Sequence, residues 1–155
     1  MSHDYLLTAR CFYEEMWSQP NLDTADEIIH PDYAPTWVHI PHKGPEQLKH
    51  EIHYFRTMFP DLKYEVVDAI AEGNKVWVRY QGTGTHEGAG WGFEPTHKVA
   101  AFEGVGIFTF HENGQIIDRW ASYSFYDIFT SLGLAPPWWE LSQYLKPYEP
   151  SRSDS

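Results

Sequence analysis

The stretch GVGIFTFHENGQIIDRW, residues 104–120, contains two runs of apolar and polar residues in alternation, separated by His111-Glu112-Asn113-Gly114. Alternation with period two is the mark of a half-buried strand, and Asn-Gly between two such runs is a strong hairpin signal. The spacing predicts strands over 98–110 and 115–124. Working back toward the N-terminus, residues 63–72 and 75–86 show the same period around the turn Glu72-Gly73-Asn74-Lys75. Val76, Val78, Tyr80, Gly82, Gly84 and His86 share one face, and Trp77, Arg79, Gln81, Thr83 and Thr85 the other. On the third strand Phe102, Gly104, Gly106, Phe108 and Phe110 lie together. On the fourth, Ile117, Arg119, Ala121 and Tyr123 alternate with Ile116, Asp118, Trp120 and Ser122, and pattern alone does not say which set faces inward. The glycines within strands permit a strong bend.

Before residue 60 the period is helical. A helix is expected over 3–18, capped by Ser2 or Asp4, with Leu6, Ala9, Tyr13, Met16 and Trp17 at helical spacing. A second runs from Asp23 or Thr24 through Ile29 and ends at His30-Pro31. A third opens at Gly44-Pro45-Glu46 and runs to about Phe59, where Pro60 stops it. Residues 33–43 are irregular, 87–97 form a long glycine-containing loop, and a short helix is expected over 126–132. Three helices followed by an antiparallel meander make an α+β domain. The expected architecture is a cone-shaped α+β barrel: a curved, mostly antiparallel sheet with three N-terminal helices on its concave face, enclosing a cavity. This domain spans 1–135, and 136–155 form an aromatic, then polar, tail.

Composition narrows the function. The 155 residues include 17% aromatics, more than a core of this size needs, which suits a cavity lining or a subunit interface. A formal charge of −11 repels a phosphate backbone and an anionic membrane, so neither is an expected partner. The lone Cys11 cannot form an internal disulfide, no apolar run approaches ~20 residues, and MSHDYLLTAR lacks a signal-peptide layout. A cytoplasmic protein is expected. There is no cysteine cluster, phosphate loop or G-x-S-x-G, and no cofactor is called for. His39 and His42 lie three apart in extended chain and point to opposite faces, so no metal site is expected.

In the third helix Leu48, Ile52, Phe55 and Phe59 form an apolar stripe, with Glu51 at its edge. Either Glu51 leans to solvent or pairs with a helix neighbour, or it is a cavity carboxylate with a raised pKa, suited to moving a proton. His86 either packs the loop or stands at the cavity mouth.

HPDY at 30–33, GPEQL at 44–48, MFPDL at 58–62, GTGTHEG at 82–88 and the opening stretch together resemble the SnoaL-like polyketide cyclase family, within the nuclear transport factor two-like superfamily, over roughly residues 5–133. The resemblance implies the cone fold, a deep ligand cavity, a homodimer or homotetramer, and ring closure by aldol chemistry without a cofactor. It turns the face of Arg119, Ala121 and Tyr123 inward and sets Trp17 and Glu51 at the cavity. The family's proton-transferring Asp and its partner His fall at Ala121 and Gly106, so this chain holds neither. The reading that follows is an enzyme on a hydrophobic, polyketide-like small molecule: a cyclase, isomerase or related lyase. Glu51, His39 and Arg119 are its candidate catalytic residues. Trp17, Tyr33, Trp37, Tyr80, His86, Phe108 and Tyr123 are the candidate substrate contacts. The alternatives are a non-catalytic small-ligand-binding protein, and an assembly role for Trp77, Trp120, Trp138 and Trp139.

Overall fold

The computed structural model describes residues 4–19, 21–35, 41–147 and 149. The chain begins with α1 (Tyr5–Cys11), which widens into a π-helical turn at Phe12–Trp17. Then come α2 (Asp23–Ile28) and α3 (Gly44–Met58). Strands β1 (Lys63–Glu72), β2 (Lys75–Thr85), β3 (Val99–Phe110) and β4 (Ile116–Tyr123) form one antiparallel sheet in sequential order. A last helix, α4 (Phe125–Ser131), and a 3-10 turn at Trp138–Gln143 complete the described chain. No described helix is long and apolar enough to cross a membrane.

The α+β class and the curved meander are as expected, but the sheet stays open and does not close into a barrel. An open sheet leaves backbone groups unpaired along its edges. Helical segments supply the partners. Along β1, the Ser18 hydroxyl accepts from the Tyr64 N–H (2.8 Å) while donating to the Tyr13 carbonyl (2.8 Å). Glu14 accepts from the Val66 N–H at 3.2 Å. Along β4, Ile29 bridges Ile116, and the His30 N–H donates to the Ile116 carbonyl at 2.9 Å. Arg56 gathers the carbonyls of Trp17, Pro60 and Leu62 at 2.7–3.0 Å, joining the π-helical turn, the end of α3 and the start of β1.

Two local readings are corrected. The first helix is not one regular α-helix: Asp4 caps it, accepting from the Leu7 N–H, but the turn over Phe12–Trp17 is wide. Such π-helical turns are rare and often mark functional sites. In β4 the strict alternation fails. Thr109 pairs with Asp118 but Phe110 pairs with Ile116, so Ile117 is bulged out. Ile116 and Arg119 are therefore both buried, although three apart. The sequence pattern had assigned them to opposite faces; the bulge shifts the phase by one.

The core lies between the concave face and α1, the π-helical turn and α3. It includes Phe12, Met16, Leu48, Ile52, Val76, Val78, Phe108, Phe110 and Ile116. At the far end, Asp61 ties the α3–β1 turn to β2, accepting from the Thr85 N–H at 2.6 Å and the Thr85 hydroxyl at 2.7 Å. The Thr85 N–H above all holds the Asp61 carboxyl below the ordinary aspartate value, against the opposing effect of burial. A depressed carboxyl adds stability above its unfolded value that is lost as pH falls through the folded one. Asp61→Ala is expected to cost about 1 kcal/mol at pH 7, small because the group is exposed. In urea titrations this deficit should shrink below about pH 4 and vanish in stronger acid.

Candidate functional site

Gly106 and Ala121, the positions matching the cyclases' His and Asp, are direct partners across β3 and β4. Both are small, and the space above them is occupied. A Cβ built on Gly106 would lie 2.2 Å from the Tyr13 hydroxyl, and one on Gly104 would lie 2.4 Å from the Tyr80 hydroxyl. The missing side chains of β3 are thus the room into which two tyrosines reach, one from the π-helical turn and one from β2.

Beside them, Arg119 of β4 donates from Nη2 to Glu51 Oε1 of α3 at 2.6 Å, a pair whose side chains are 2% and 7% exposed. Glu51 thus neither leans to solvent nor pairs along its own helix. The guanidinium replaces the water that the carboxylate loses on burial, and it also lies 4.9 Å from the Phe12 ring and 5.9 Å from the Trp17 ring. Burial works against the charged guanidinium, but Glu51, then Tyr33 and Tyr13, outweigh it and raise its proton affinity. Glu51 Oε2 is buried and has no hydrogen-bond partner among the described residues. One carboxylate oxygen is anchored and the other is bare.

The cavity at this pair is lined by Tyr13, Trp17, Glu51, Phe55, Tyr64, Tyr80, Arg119, Ala121 and Tyr123. Ring centroids 4.4–5.5 Å apart join Tyr13 to Tyr80 and Tyr64, and Tyr64 to Trp17. The deep cavity implied by the resemblance is nearly filled in this conformation. Its free space is about 10 Å³, of the order of one water molecule. Admitting a larger ligand requires side chains such as Phe55 and Tyr123, both half-buried, to move. Burial raises the tyrosines' proton affinity: Tyr13 and Tyr64 lie well above the ordinary value, and Tyr80 is pushed up to about 12. They are neutral hydroxyl donors at physiological pH.

Of the residues singled out from sequence, the structure brings Glu51, Arg119, Trp17, Tyr80 and Tyr123 to this cavity. Tyr33 is fully buried within electrostatic reach of both Arg119 and Glu51, and its hydroxyl has no partner among the described residues. Phe108 packs beneath, 4.9 Å from Phe12. His86 is buried away from the pair: its Nδ1 accepts from the Thr96 N–H, and its ring lies 5.5 Å from Phe59. Trp37 and His39 lie outside the described residues. His42 stacks on His50 at the surface, and among the described residues no group of three His, Cys, Asp or Glu is placed to hold a metal. Tyr13, Tyr64 and Gln47 were missed. Gln47, one turn before Glu51 on α3, is buried with both amide atoms unpaired among the described residues.

An open curved sheet folded around a buried ion pair and an aromatic cavity defines an α+β pocket protein of the ketosteroid isomerase-like kind. A model of the SnoaL-like polyketide cyclase family matches residues 7–132, and the chain belongs to that family. Among solved structures, it is similar to a candidate SnoaL-like polyketide cyclase from Jannaschia sp. CCS1, at 25% identity and a TM-score of 0.74, covering 86% of this chain and 93% of that one. It is also similar to IdmH from Streptomyces antibioticus, a candidate polyketide cyclase, at 23% identity and TM-score 0.73, covering 84% and 99%. A third is a protein of ketosteroid isomerase-like fold from Catenulispora acidiphila, at 14% identity and TM-score 0.66, covering 87% and 96%. No curated protein matches the chain.

Removing one member of a buried ion pair strands the other charge. Arg119→Met should therefore destabilise the fold by about 3–5 kcal/mol, while the double variant Glu51→Leu with Arg119→Met recovers most of that loss. Chemical denaturation of the single and double variants measures both.

Proposed function

We propose that the protein is a cofactor-independent enzyme acting by acid–base chemistry on a hydrophobic, carbonyl-bearing, polyketide-like molecule, as a cyclase, isomerase or related lyase. The observation that carries this reading is the buried Glu51 carboxylate, anchored through Oε1 to Arg119 and bare at Oε2, at the edge of an otherwise aromatic cavity. In this reading Glu51 Oε2 takes the proton from the carbon beside a substrate carbonyl. The C–H electron pair then becomes an enolate, whose oxygen carries the charge that Arg119 faces. Return of the proton to another carbon isomerises the substrate. Attack of the enolate carbon on a second carbonyl of the same molecule closes a ring instead, and the new alkoxide takes the proton from Glu51. Trp17, Tyr80 and Tyr123 form the walls; Tyr33, and His39 on the segment beyond it, orient the substrate.

A non-catalytic ligand-binding role is the second reading. The small residues Gly106 and Ala121 at the cyclases' acid–base positions favour it, as does the nearly filled cavity. The two readings separate on an enolisable hydrophobic ketone such as β-tetralone in D₂O, followed by NMR. The enzyme reading expects deuterium to enter at the α-carbon, and Glu51→Gln to slow this by about 10²–10⁴-fold. Full exchange by Glu51→Gln removes Glu51 from the role, and binding without exchange favours the second reading.

We further propose that the protein works as a homodimer joined through the outer face of the sheet. Ile70, Trp77, Ile107 and Trp120 are direct neighbours across all four strands, forming one apolar row. Ile70 is 67% exposed and the two tryptophans are each 50% exposed. A shallow groove of about 550 Å³ runs beside Trp77, Arg79, Glu103 and Trp120. The outward charges on β2 to β4 are Lys75 and Arg79 against Glu103 and Asp118, so this face is balanced in a chain of charge −11. Two such faces meet without the repulsion that the rest of the surface imposes. Sedimentation should show a wild-type dimer and a monomer for Trp120→Glu; a monomeric wild type would overturn the assignment.

A further inference from the structure

The cyclase positions at Gly106 and Ala121 are empty of polar atoms, yet the cavity still contains a placed hydrogen-bond donor. Tyr13 is 2% exposed and lines the cavity, and its hydroxyl has no hydrogen-bond partner among the described residues. A hydroxyl buried without a partner is destabilising, so its retention calls for a function. Its position is tightly set. The ring is fixed by Phe12 at 5.0 Å, Tyr64 at 5.4 Å, Tyr80 at 4.4 Å and Phe108 at 5.7 Å. The hydroxyl stands where any side chain on residue 106 would begin, 2.2 Å from an ideal Cβ. Glycine at 106 and tyrosine at 13 are therefore one device: the strand gives up its side chain and the helix delivers a hydroxyl to the same place.

We propose that Tyr13 is a catalytic residue, the neutral donor that holds the substrate's carbonyl oxygen as it becomes an enolate, in the space that a side chain at Gly106 would otherwise fill. The ligand class is an enolisable ketone or a phenol resembling its enol. This inference rests on the acid–base reading of Glu51. The α-proton goes to Glu51 Oε2, the electron pair moves onto oxygen, and the Tyr13 O–H donates to that oxygen without giving up its proton. Burial, which keeps the Tyr13 proton on, suits that role, and the nearby Arg119 charge acts in the opposite sense. Trp17 presents a second buried N–H without a partner among the described residues, also at the cavity wall.

The test uses β-tetralone exchange for chemistry and 2-naphthol, the aromatic analogue of its enol, for binding. Tyr13→Phe keeps the ring and deletes only the hydroxyl. It should retain or raise the melting temperature, lower kcat for exchange by about 10²–10³-fold with KM changed less than about threefold, and weaken 2-naphthol binding about tenfold. Gly106→Ala, which keeps the hydroxyl but forces it aside, should lower kcat in the same direction. Wild-type exchange and binding by Tyr13→Phe, with Glu51→Gln still defective, overturns the role of Tyr13 and leaves that of Glu51 standing. A melting temperature lowered in Tyr13→Phe with kcat unchanged assigns the hydroxyl to the fold and also overturns it. Wild-type protein that neither exchanges β-tetralone nor binds 2-naphthol overturns the proposal together with the reading beneath it.

Discussion

The ion pair between Arg119 and Glu51 is the constraint around which the interior is organised. It joins β4 to α3, elements whose paired residues are 68 positions apart in the chain. An unpaired charge of either sign at that depth would cost several kcal/mol, so the two elements are held in one register. Everything polar nearby is arranged with reference to it. Phe12 and Trp17 lay their faces toward the guanidinium. The tyrosines surround the pair as neutral hydroxyls, whose burial keeps them from becoming rival anions. The result is a site with one strong positive charge, one bare carboxylate oxygen and several neutral donors, shielded from water by aromatic rings.

That arrangement bears on how a cyclase fold can lose its usual acid–base pair and keep a polar cavity. With Gly106 and Ala121 facing each other, β3 and β4 contribute little but backbone at the cyclase positions. The chemistry-bearing groups enter from the other side, on the π-helical turn and α3. The sheet becomes a floor with space cut into it, and the helices supply what projects into that space.

Much of the fold was readable in the sequence because it depends on local signals. The Asn113-Gly114 turn, the two-residue alternation of β2 and β3, and Pro45 at the start of α3 each carry their own physical reason. What was not readable depends on partners far along the chain. Helical spacing put Glu51 at a stripe edge, but only the tertiary pairing reveals Arg119 as its partner. Ile116 and Ile117 are both apolar, so either strand phase satisfies the pattern, and the bulge that decides between them leaves no trace in composition. Tyr13 sits at an ordinary core spacing; the significance of its hydroxyl follows from a glycine 93 positions later. Gln47 interrupts an apolar stripe and so looked like a solvent-facing residue, yet the face of α3 that meets the sheet is wide enough to include it.

The π-helical turn has a further consequence, for the way this chain tolerates insertions and deletions. A wide turn carries one residue more than a regular α-helix would use over the same rise. Deleting a single residue between Phe12 and Trp17 would let the helix tighten, but it would rotate everything beyond the deletion by about 100° relative to everything before it. Ala9 would stay on the core, while Trp17 and the Ser18 hydroxyl that closes the edge of β1 would turn away from it. The extra residue thus acts as a phase adjuster. It lets one continuous helix present its first half to the sheet's floor and its second half to the edge strand, a change of aim that a regular helix could achieve only by breaking.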